Sequence, residues 1–263
     1  MPDTKPLPPD ATTAPVFGVR FDDVALQPLA NTIADGPTPG QGTRLVVTAN
    51  VDHIVLLRDH AGLQAAYRNS WRRTIDGTPV WLYTRFRHGA APERVTGADL
   101  FPEVLTRLVP GRHRPFFVVA NADIANRMAA WTGHAGFAPD TVGFEVPPFG
   151  FERDADHGRA LAARIRANGT THLFFGVGCP RSEVWIDRHR DELGDVYALA
   201  VGAAVGFHVG VQWRAPRAMR RYGMEWLWRL LSEPRRLGPR YMVRSWAFLT
   251  AIRSDLNDKE IKA

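Results

Sequence analysis

The sequence predicts an α/β protein with a Rossmann-like, largely parallel β-sheet that carries helices on both faces. Short apolar runs of strand length alternate with longer segments of helical periodicity, the pattern of repeated βαβ units. Some of these strands, such as 115–120, are almost continuously apolar, as expected where both faces are buried. We divide the 263 residues into a disordered tail at 1–15, a Rossmann-like domain at 16–212 and a helical appendage rich in Arg and Trp at 213–263.

The expected elements can be given in chain order. Residues 16–30 are expected to form a strand and a loop, 44–50 a strand, and 51–69 a single helix. The others are a strand ending at Ile75, a helix from Pro79, a helix over 99–108, a strand over 115–120, a helix over 122–132, a strand over 141–145, a helix over 156–168, a strand over 173–175 with a helix after it, and a strand over 195–201.

The composition is that of a globular protein with more basic than acidic residues. There are 33 Lys and Arg against 27 Asp and Glu, and the excess is carried by arginine, whose planar fork suits phosphates and carboxylates. A nucleotide diphosphate or an anionic membrane surface fits this balance. No nucleic-acid-binding signature is present, so we expect no nucleic-acid partner. The single cysteine, Cys179, excludes an internal disulfide, and we expect it to be a small buried side chain rather than a nucleophile.

The first 15 residues are polar and rich in proline, and we expect them to be disordered. They lack the apolar core of a signal peptide, and no apolar run in the sequence is long enough to span a bilayer. We therefore expect a cytoplasmic protein that is at most peripheral on the inner face of the cell membrane.

Polar side chains follow two of the expected strands. Thr48 and Asn50 end the strand at 44–50, and Asp76 follows the next strand. Ligands of open α/β sheets gather at the carboxyl ends of strands, so a hydroxyl and an amide here could hold a sugar or a phosphate. Asn50 could equally cap the following helix. An Asp before a Gly, such as Asp76, is more often a turn residue than a catalyst, and only the neighbouring loops favour a role in the site.

A glycine-containing turn joins the strand at 173–175 to a helix. Gly176 and Gly178 allow the backbone to approach a ligand, and the amino end of the helix would favour an anion. A tight turn without a ligand explains the same residues, because neither a GxGxxG nor a Walker pattern is completed.

The C-terminal segment interleaves arginines with aromatic residues. Several of these arginines would lie near the edge of an apolar helix face, an arrangement that suits a diphosphate. Arginines together with Trp226, Trp228 and Trp246 also suit the water interface of a bilayer. A solvated charged face on a packed helix is the alternative. The arginines concerned are Arg229, Arg235, Arg236 and Arg240.

Five motifs in order give the chain a resemblance to the WecG/TagA/CpsF family of bacterial glycosyltransferases, over roughly residues 44–249. They are Thr48-Ala-Asn50; Asp76-Gly77-x-Pro79 with Trp81; Arg94-Val-Thr-Gly-x-Asp99-Leu; Gly176-x-Gly178-x-Pro180-Arg181-x-Glu183-x-Trp185; and a C-terminal set from Arg214-Ala-Pro216 to Arg240-Tyr241.

The resemblance implies an inverting, metal-independent hexosyltransferase that needs no cofactor. It would move a sugar from a nucleotide donor, usually UDP-linked, to an undecaprenyl-diphosphate-linked glycan in exopolysaccharide or cell-surface polysaccharide synthesis. Asp76 would be the general base, and the four C-terminal arginines would hold the diphosphate, which agrees with the chemistry of an inverting transfer. The implied donor-site residues are Thr48, Asn50, Arg94, Gly176, Gly178, Ser182 and Gly206.

Two of these positions depart from the family pattern. Gly206 stands where the family has an aspartate, and Ser182 stands where it has a glutamine. Losing both groups near the donor implies a different sugar, or weakened or lost activity. The alternative function is therefore a catalytically degenerate member that binds a nucleotide or a lipid-linked glycan without transfer. A dinucleotide-binding oxidoreductase is disfavoured by the missing GxGxxG. The sequence leaves open whether the protein forms a homo-oligomer.

Overall fold

The computed structural model of the chain describes residues 14–232 and 234–260, with some side chains of the C-terminal helices left out. Nearly all of the tail predicted at 1–15 lies outside these residues. The sheet has six strands in the order β2-β1-β6-β5-β3-β4, and every pairing is parallel. The strands are β1 (Thr43–Ala49), β2 (Arg72–Ile75), β3 (Pro115–Val118), β4 (Gly143–Glu145), β5 (His172–Phe175) and β6 (Val196–Ala200).

Helices cover both faces of the sheet, which confirms the predicted Rossmann-like α/β class. They are α1 (Leu26–Ala34), α2 (Val51–Leu57), α3 (Ala61–Asn69), α4 (Thr78–His88), α5 (Gly97–Leu105), α6 (Ala122–His134), α7 (Ala155–Ala167), α8 (Arg181–Arg188), α9 (Arg190–Leu193), α10 (Ala204–His208), α11 (Arg217–Arg221), α12 (Glu225–Ser232) and α13 (Pro234–Glu260).

Two hydrophobic cores lie on opposite faces of the sheet. Successive strand residues alternate between them: in β5, Leu173 and Phe175 join the core that α3, α7 and α8 cover, while Phe174 joins the core that α1, α5 and α6 cover. This alternation follows from the two-residue period of a strand. It also explains why the inner strands β3, β5 and β6 are apolar at nearly every position.

Two of the expected elements are wrong. Residues 16–30 do not form a strand; they contain one isolated bridge, between Val16 and Val19, and the start of α1. The spacing of Leu29, Ala30 and Ile33, which are the buried residues of α1, is helical. The single helix expected over 51–69 is two helices, because the His60 ring accepts a hydrogen bond from the Leu63 N–H and begins α3 as a new helix.

The second half of α13 is built into the core of the protein. Phe248 and Ala251 are buried in the core on the α3 face. Asp255 accepts hydrogen bonds from the Tyr83 hydroxyl at 2.8 Å and from Arg87 Nε at 3.1 Å, both on α4. The domain boundary drawn at residue 213 stays a prediction, but removal of the whole C-terminal segment would expose this core.

His172 of β5 is a buried polar side chain whose neutral form has partners on both ring nitrogens. Nε2 lies 2.8 Å from the Ile33 carbonyl, and Nδ1 lies 2.8 Å from the Thr171 hydroxyl. In the neutral ring Nε2–H donates and Nδ1 accepts, whereas a protonated ring would lose the Thr171 hydroxyl as a donor. Burial lowers the pKa of His172 to about 4.

This depressed pKa predicts a pH-dependent contribution of His172 to stability. Between pH 6.5 and 4 the His172 ring is protonated in the unfolded chain and neutral in the folded protein. The contribution of His172 to stability is therefore fully present above the unfolded pKa and is lost as the pH falls. We expect the difference in free energy of unfolding between the wild type and His172→Gln to shrink by about 3 kcal/mol at most over this range. Urea denaturation at each pH measures it, and groups common to both proteins cancel. A difference independent of pH would contradict the assignment.

Candidate active site

A cavity of about 500 Å³ opens at the carboxyl ends of the strands. The turns after β1, β2, β5 and β6 form its walls, together with residues of the C-terminal helices. This is the edge at which open α/β sheets bind ligands. The sequence-predicted residues that line it are Thr48, Asn50, Asp76, Arg94, Gly176, Gly178 and Gly206.

A close backbone approach holds the first two of these turns together. The N–H groups of Asp76 and Gly77 both donate to the Ala49 carbonyl, at 2.8 and 3.1 Å. A Cβ at Gly77 would lie 3.1 Å from the Asn50 Cα, which is closer than backbone atoms comfortably allow. Glycine at position 77 therefore lets Asp76 and Asn50 enter the same cavity wall.

Asn50 combines the two roles that its sequence position leaves open. Its side-chain oxygen accepts from the N–H groups of Asp52 and His53, at 3.0 and 3.3 Å, and so caps α2. The residue also lines the cavity. Because the oxygen is used by the cap, the amide nitrogen is the group that can donate to a ligand.

Arg94 lines the cavity and also holds two segments in place. Its Nη1 donates to the Asp76 carbonyl at 3.1 Å, and its Nη2 donates to the Arg220 carbonyl at 3.4 Å. One guanidinium thus connects the turn that carries Asp76 to the C-terminal helices. Thr48, on the β1 side of the cavity, is 6 % exposed.

The glycines after β5 have different structural roles. Gly178 has a φ of +85°, a left-handed conformation that favours glycine. A Cβ at Gly176 would lie 3.2 Å from the Gly202 carbonyl and 3.4 Å from the Val118 carbonyl, so close backbone packing requires glycine there. Ser182 is not brought into the cavity wall: it is 1 % exposed, and its hydroxyl donates to the Gly178 carbonyl.

Gln212 lies beside Gly206, the position at which the resemblance leads us to expect an aspartate. A Cβ at Gly206 would be 3.5 Å from the Gln212 Cδ and 3.4 Å from the Ile124 Cδ1. Gln212 also lines the cavity. The Gln212 amide therefore borders the space that an aspartate side chain at position 206 would occupy. Gln212 was not identified from the sequence, because only the departure at position 206 indicated a change nearby.

The C-terminal segment closes over the turn that carries Asp76. Gly223 has a φ of +69°, and a Cβ there would overlap the Thr78 hydroxyl at 2.5 Å. Arg214 adds a second connection, since its guanidinium lies 2.6 Å from the Asp99 carboxylate and 3.3 Å from the Glu225 carboxylate. The turn between α11 and α12 thus rests directly on the start of α4.

The arginines at the cavity differ from the predicted set. Arg235 is exposed and is not among the lining residues, and the side chains of Arg229, Arg236 and Arg240 lie outside the described part of the chain. The cavity instead contains Arg181 and Arg244 beside Arg94. Arg244, which sequence reasoning missed, lies 3.4 Å from the Asp52 carboxylate because α13 packs against α2.

His53, Cys179 and Glu183 form a further part of the wall. His53 Nε2 lies 3.6 Å from Glu183 Oε1, and both residues are at most 4 % exposed. Burial raises the pKa of Glu183 to about 7, with its own N–H and the Cys179 thiol acting in the opposite direction. Cys179 is half-buried and faces the cavity, so the expectation of a buried core cysteine is wrong.

The sequence contains one Asp-x-Asp triplet, Asp154-Ala155-Asp156, a pattern that metal-dependent sugar transferases often carry. Here Asp154 is the N-cap of α7 and accepts from the N–H groups of Asp156 and His157. None of the three residues lines the cavity. The first aspartate of the triplet therefore caps a helix, and the triplet lies outside the candidate site.

The fold and the cavity define an α/β protein with its candidate ligand site at the carboxyl edge of a parallel sheet. A family model described as Glycosyl transferase WecG/TagA/CpsF family matches residues 14–260, nearly the whole chain. The chain belongs to this family of glycosyltransferases. The resemblance inferred from its five motifs is thereby confirmed.

Gly176 and Gly206 both line the cavity, but we expect opposite responses when each is substituted by alanine. Gly176→Ala places a Cβ against two backbone carbonyls that cannot move freely, so we expect a loss of about 1–3 kcal/mol in the free energy of unfolding. Gly206→Ala meets only the ends of flexible side chains and lies within α10, so we expect a change within about 1 kcal/mol or a small gain. Urea denaturation measures both. Equal losses would contradict the described packing.

Proposed function

We propose that the protein is an inverting glycosyltransferase that moves a sugar from a nucleotide donor, UDP-linked by family resemblance, to a polyprenyl-diphosphate-linked glycan. One observation carries the proposal: the Asp76 carboxylate shares a cavity with two strand-end polar groups, two turn glycines and several guanidinium groups. A base and a cationic surface for the leaving group are the two parts that such a reaction needs.

The transfer is a single displacement at the anomeric carbon. An acceptor hydroxyl approaches that carbon while Asp76 takes its proton. The new bond from the acceptor oxygen to the anomeric carbon forms as the bond from that carbon to the nucleotide diphosphate breaks on the opposite face. The nucleotide leaves with the bonding electron pair, and the configuration at the anomeric carbon inverts.

The departing diphosphate is assigned to the α8 side of the cavity. The turn with Gly176 and Gly178 leads into α8, whose first residue, Arg181, lines the cavity. The dipole at a helix amino end favours an anion, and guanidinium groups hold phosphate oxygens bidentately. Arg244 would supply a second cation from α13.

The sugar itself is assigned to the β1 side of the cavity. Thr48 offers a hydroxyl, and Asn50 offers its amide nitrogen, since its oxygen caps α2. Gln212 would replace part of the polar surface lost at Gly206. An amide can both donate and accept, so we propose that this chain selects a different donor sugar from a member with a carboxylate there.

Exposed apolar side chains in the C-terminal segment support the assignment of a lipid-linked acceptor. Among the described residues, no helix combines the length and the apolar character required to cross a bilayer. Large apolar side chains are nevertheless exposed in the C-terminal segment, and Arg and Trp side chains of this kind favour the bilayer interface. We therefore propose that this surface rests on the inner leaflet of the cell membrane. The exposed residues are Trp213, Tyr222, Trp226, Leu231, Trp246 and Leu249.

A second candidate is a member that binds the donor or the lipid-linked glycan without transferring a sugar. Gly206 and Ser182 favour it, because the carboxylate and the amide of the family pattern are both absent. The two candidates differ in turnover alone. Binding of a UDP-sugar without release of UDP over long incubation would favour the second.

Asp76→Asn tests the assignment of the base. We expect turnover to fall by at least two orders of magnitude, because the amide cannot accept the proton, while donor binding and thermal stability stay near the wild-type values. UDP release from a panel of UDP-sugars with a soluble lipid-diphosphate acceptor measures turnover. Asp191→Asn is the matched control, since Asp191 is an exposed carboxylate on α9 and does not line the cavity. Retained turnover in Asp76→Asn would refute the base.

The membrane assignment predicts the effect of two polar substitutions on α13. Trp246 and Leu249 are 72 % and 55 % exposed, so Trp246→Ser with Leu249→Ser should leave the fold intact. We expect at least tenfold weaker binding to vesicles containing anionic phospholipid, because apolar area is lost from the contact. Val109→Ser, at an exposed apolar position between α5 and β3, is the control. Unchanged vesicle binding by the double variant would contradict the assignment.

A further inference from the structure

Three side chains of the kinds that ligate transition metals converge on one wall of the cavity. His53 comes from the first turn of α2, Cys179 from the turn after β5, and Glu183 from the first turn of α8. One ligand atom from each lies within 4.8 Å of the other two. All three residues line the cavity, so the space beside them is open to a small ligand.

The distances are close to those of a tetrahedral centre. With metal bonds of about 2.0–2.1 Å to nitrogen and oxygen and 2.3 Å to sulfur, ligand atoms of a tetrahedral zinc ion are roughly 3.3–3.6 Å apart. His53 Nε2 and Glu183 Oε1 are 3.6 Å apart. The Cys179 thiol lies within 4.8 Å of the other two ligand atoms, so a shift of about 1.3 Å at most completes the set.

The other ring nitrogen of His53, Nδ1, has a hydrogen-bond partner, as the second ring nitrogen of a metal-binding histidine usually does. His53 Nδ1 lies 2.6 Å from the hydroxyl of Tyr67, which is buried. With the proton on Nδ1, His53 donates to the Tyr67 hydroxyl oxygen. That bond leaves the lone pair of Nε2 directed at the cluster.

Glu183 supplies an independent indication. Its side chain is 3 % exposed, and its Oε2 has no hydrogen-bond partner among the residues that the structure describes. A buried carboxylate oxygen without a donor costs free energy. A cation between Glu183, His53 and Cys179 would remove this cost.

We propose that His53, Cys179 and Glu183 form a three-ligand site for a divalent cation of borderline softness, zinc in the first place. The thiolate disfavours magnesium and calcium, while a set of one nitrogen, one sulfur and one oxygen suits zinc. The fourth position faces the cavity and is open to a water or a phosphate oxygen. The proposal of this metal site does not rest on the proposed transfer reaction. Metal binding here would revise the expectation that the cavity holds no metal ion.

Cobalt(II) titration of the metal-stripped full chain tests the proposal. Cys179 is the only cysteine, so a thiolate-to-cobalt charge-transfer absorption reports on this site alone. We expect the absorption to saturate at one equivalent, to be accompanied by the visible bands of a tetrahedral ion, and to vanish when zinc is added. Cys179→Ser should abolish it, and His53→Gln and Glu183→Gln should weaken cobalt binding at least tenfold.

Two further variants separate a ligand effect from a folding effect. Tyr67→Phe keeps all three ligands and removes the partner of His53, so the absorption should persist with affinity reduced about 10–100-fold. His134→Gln, at an exposed histidine of α6, should change nothing. The proposal is overturned if the wild type gives no charge-transfer absorption, or if Tyr67→Phe, His53→Gln and Glu183→Gln all bind cobalt as the wild type does. Because no sugar donor is present, failure of the proposed transfer would leave these results untouched.

Discussion

The contact between the turn after β1 and the turn after β2 is the constraint on which the candidate site depends. The two strands pair in parallel with Ala49 beside Ile75, so their carboxyl ends reach the same edge. The Ala49 carbonyl then accepts from the N–H groups that follow β2, and the missing side chain of Gly77 lets the turns touch. A general base must be held within hydrogen-bond reach of the proton that it takes, and this backbone contact positions the turn that carries Asp76, the proposed base.

The C-terminal segment acts as a second wall of the site rather than as a separate attachment. Gly223 rests on Thr78, Arg214 joins the start of α5 to the start of α12, and Arg94 reaches from the Asp76 turn to α11. The same segment carries exposed apolar side chains. A surface that docks on lipid would therefore lie on the elements that close the cavity, which suits an acceptor whose diphosphate is attached to a membrane lipid.

The sequence allowed the fold class and the strand-end residues to be predicted, because both depend on local patterns. Apolar runs and the polar residues that follow them are visible in the amino-acid sequence. Parallel pairing of the strands then brings Thr48, Asn50 and Asp76 to one edge of the sheet. The first helix was missed because its helical spacing follows a segment with strand-like residues. Arg244 and the pair of His53 with Glu183 could not be predicted, since each enters the cavity through packing between elements distant in sequence. Gln212 returns to Gly206 through a local turn, in which its N–H donates to the Gly206 carbonyl, and no sequence pattern marked that turn.

The most direct measurement of the central claim is a crystal structure with an intact or non-hydrolysable nucleotide sugar bound. We expect the anomeric carbon to face the Asp76 carboxylate across the space for an acceptor oxygen, with the diphosphate on the opposite side against Arg181 and the start of α8. A nucleotide bound outside this cavity, or one whose diphosphate lies between the sugar and Asp76, would contradict the claim.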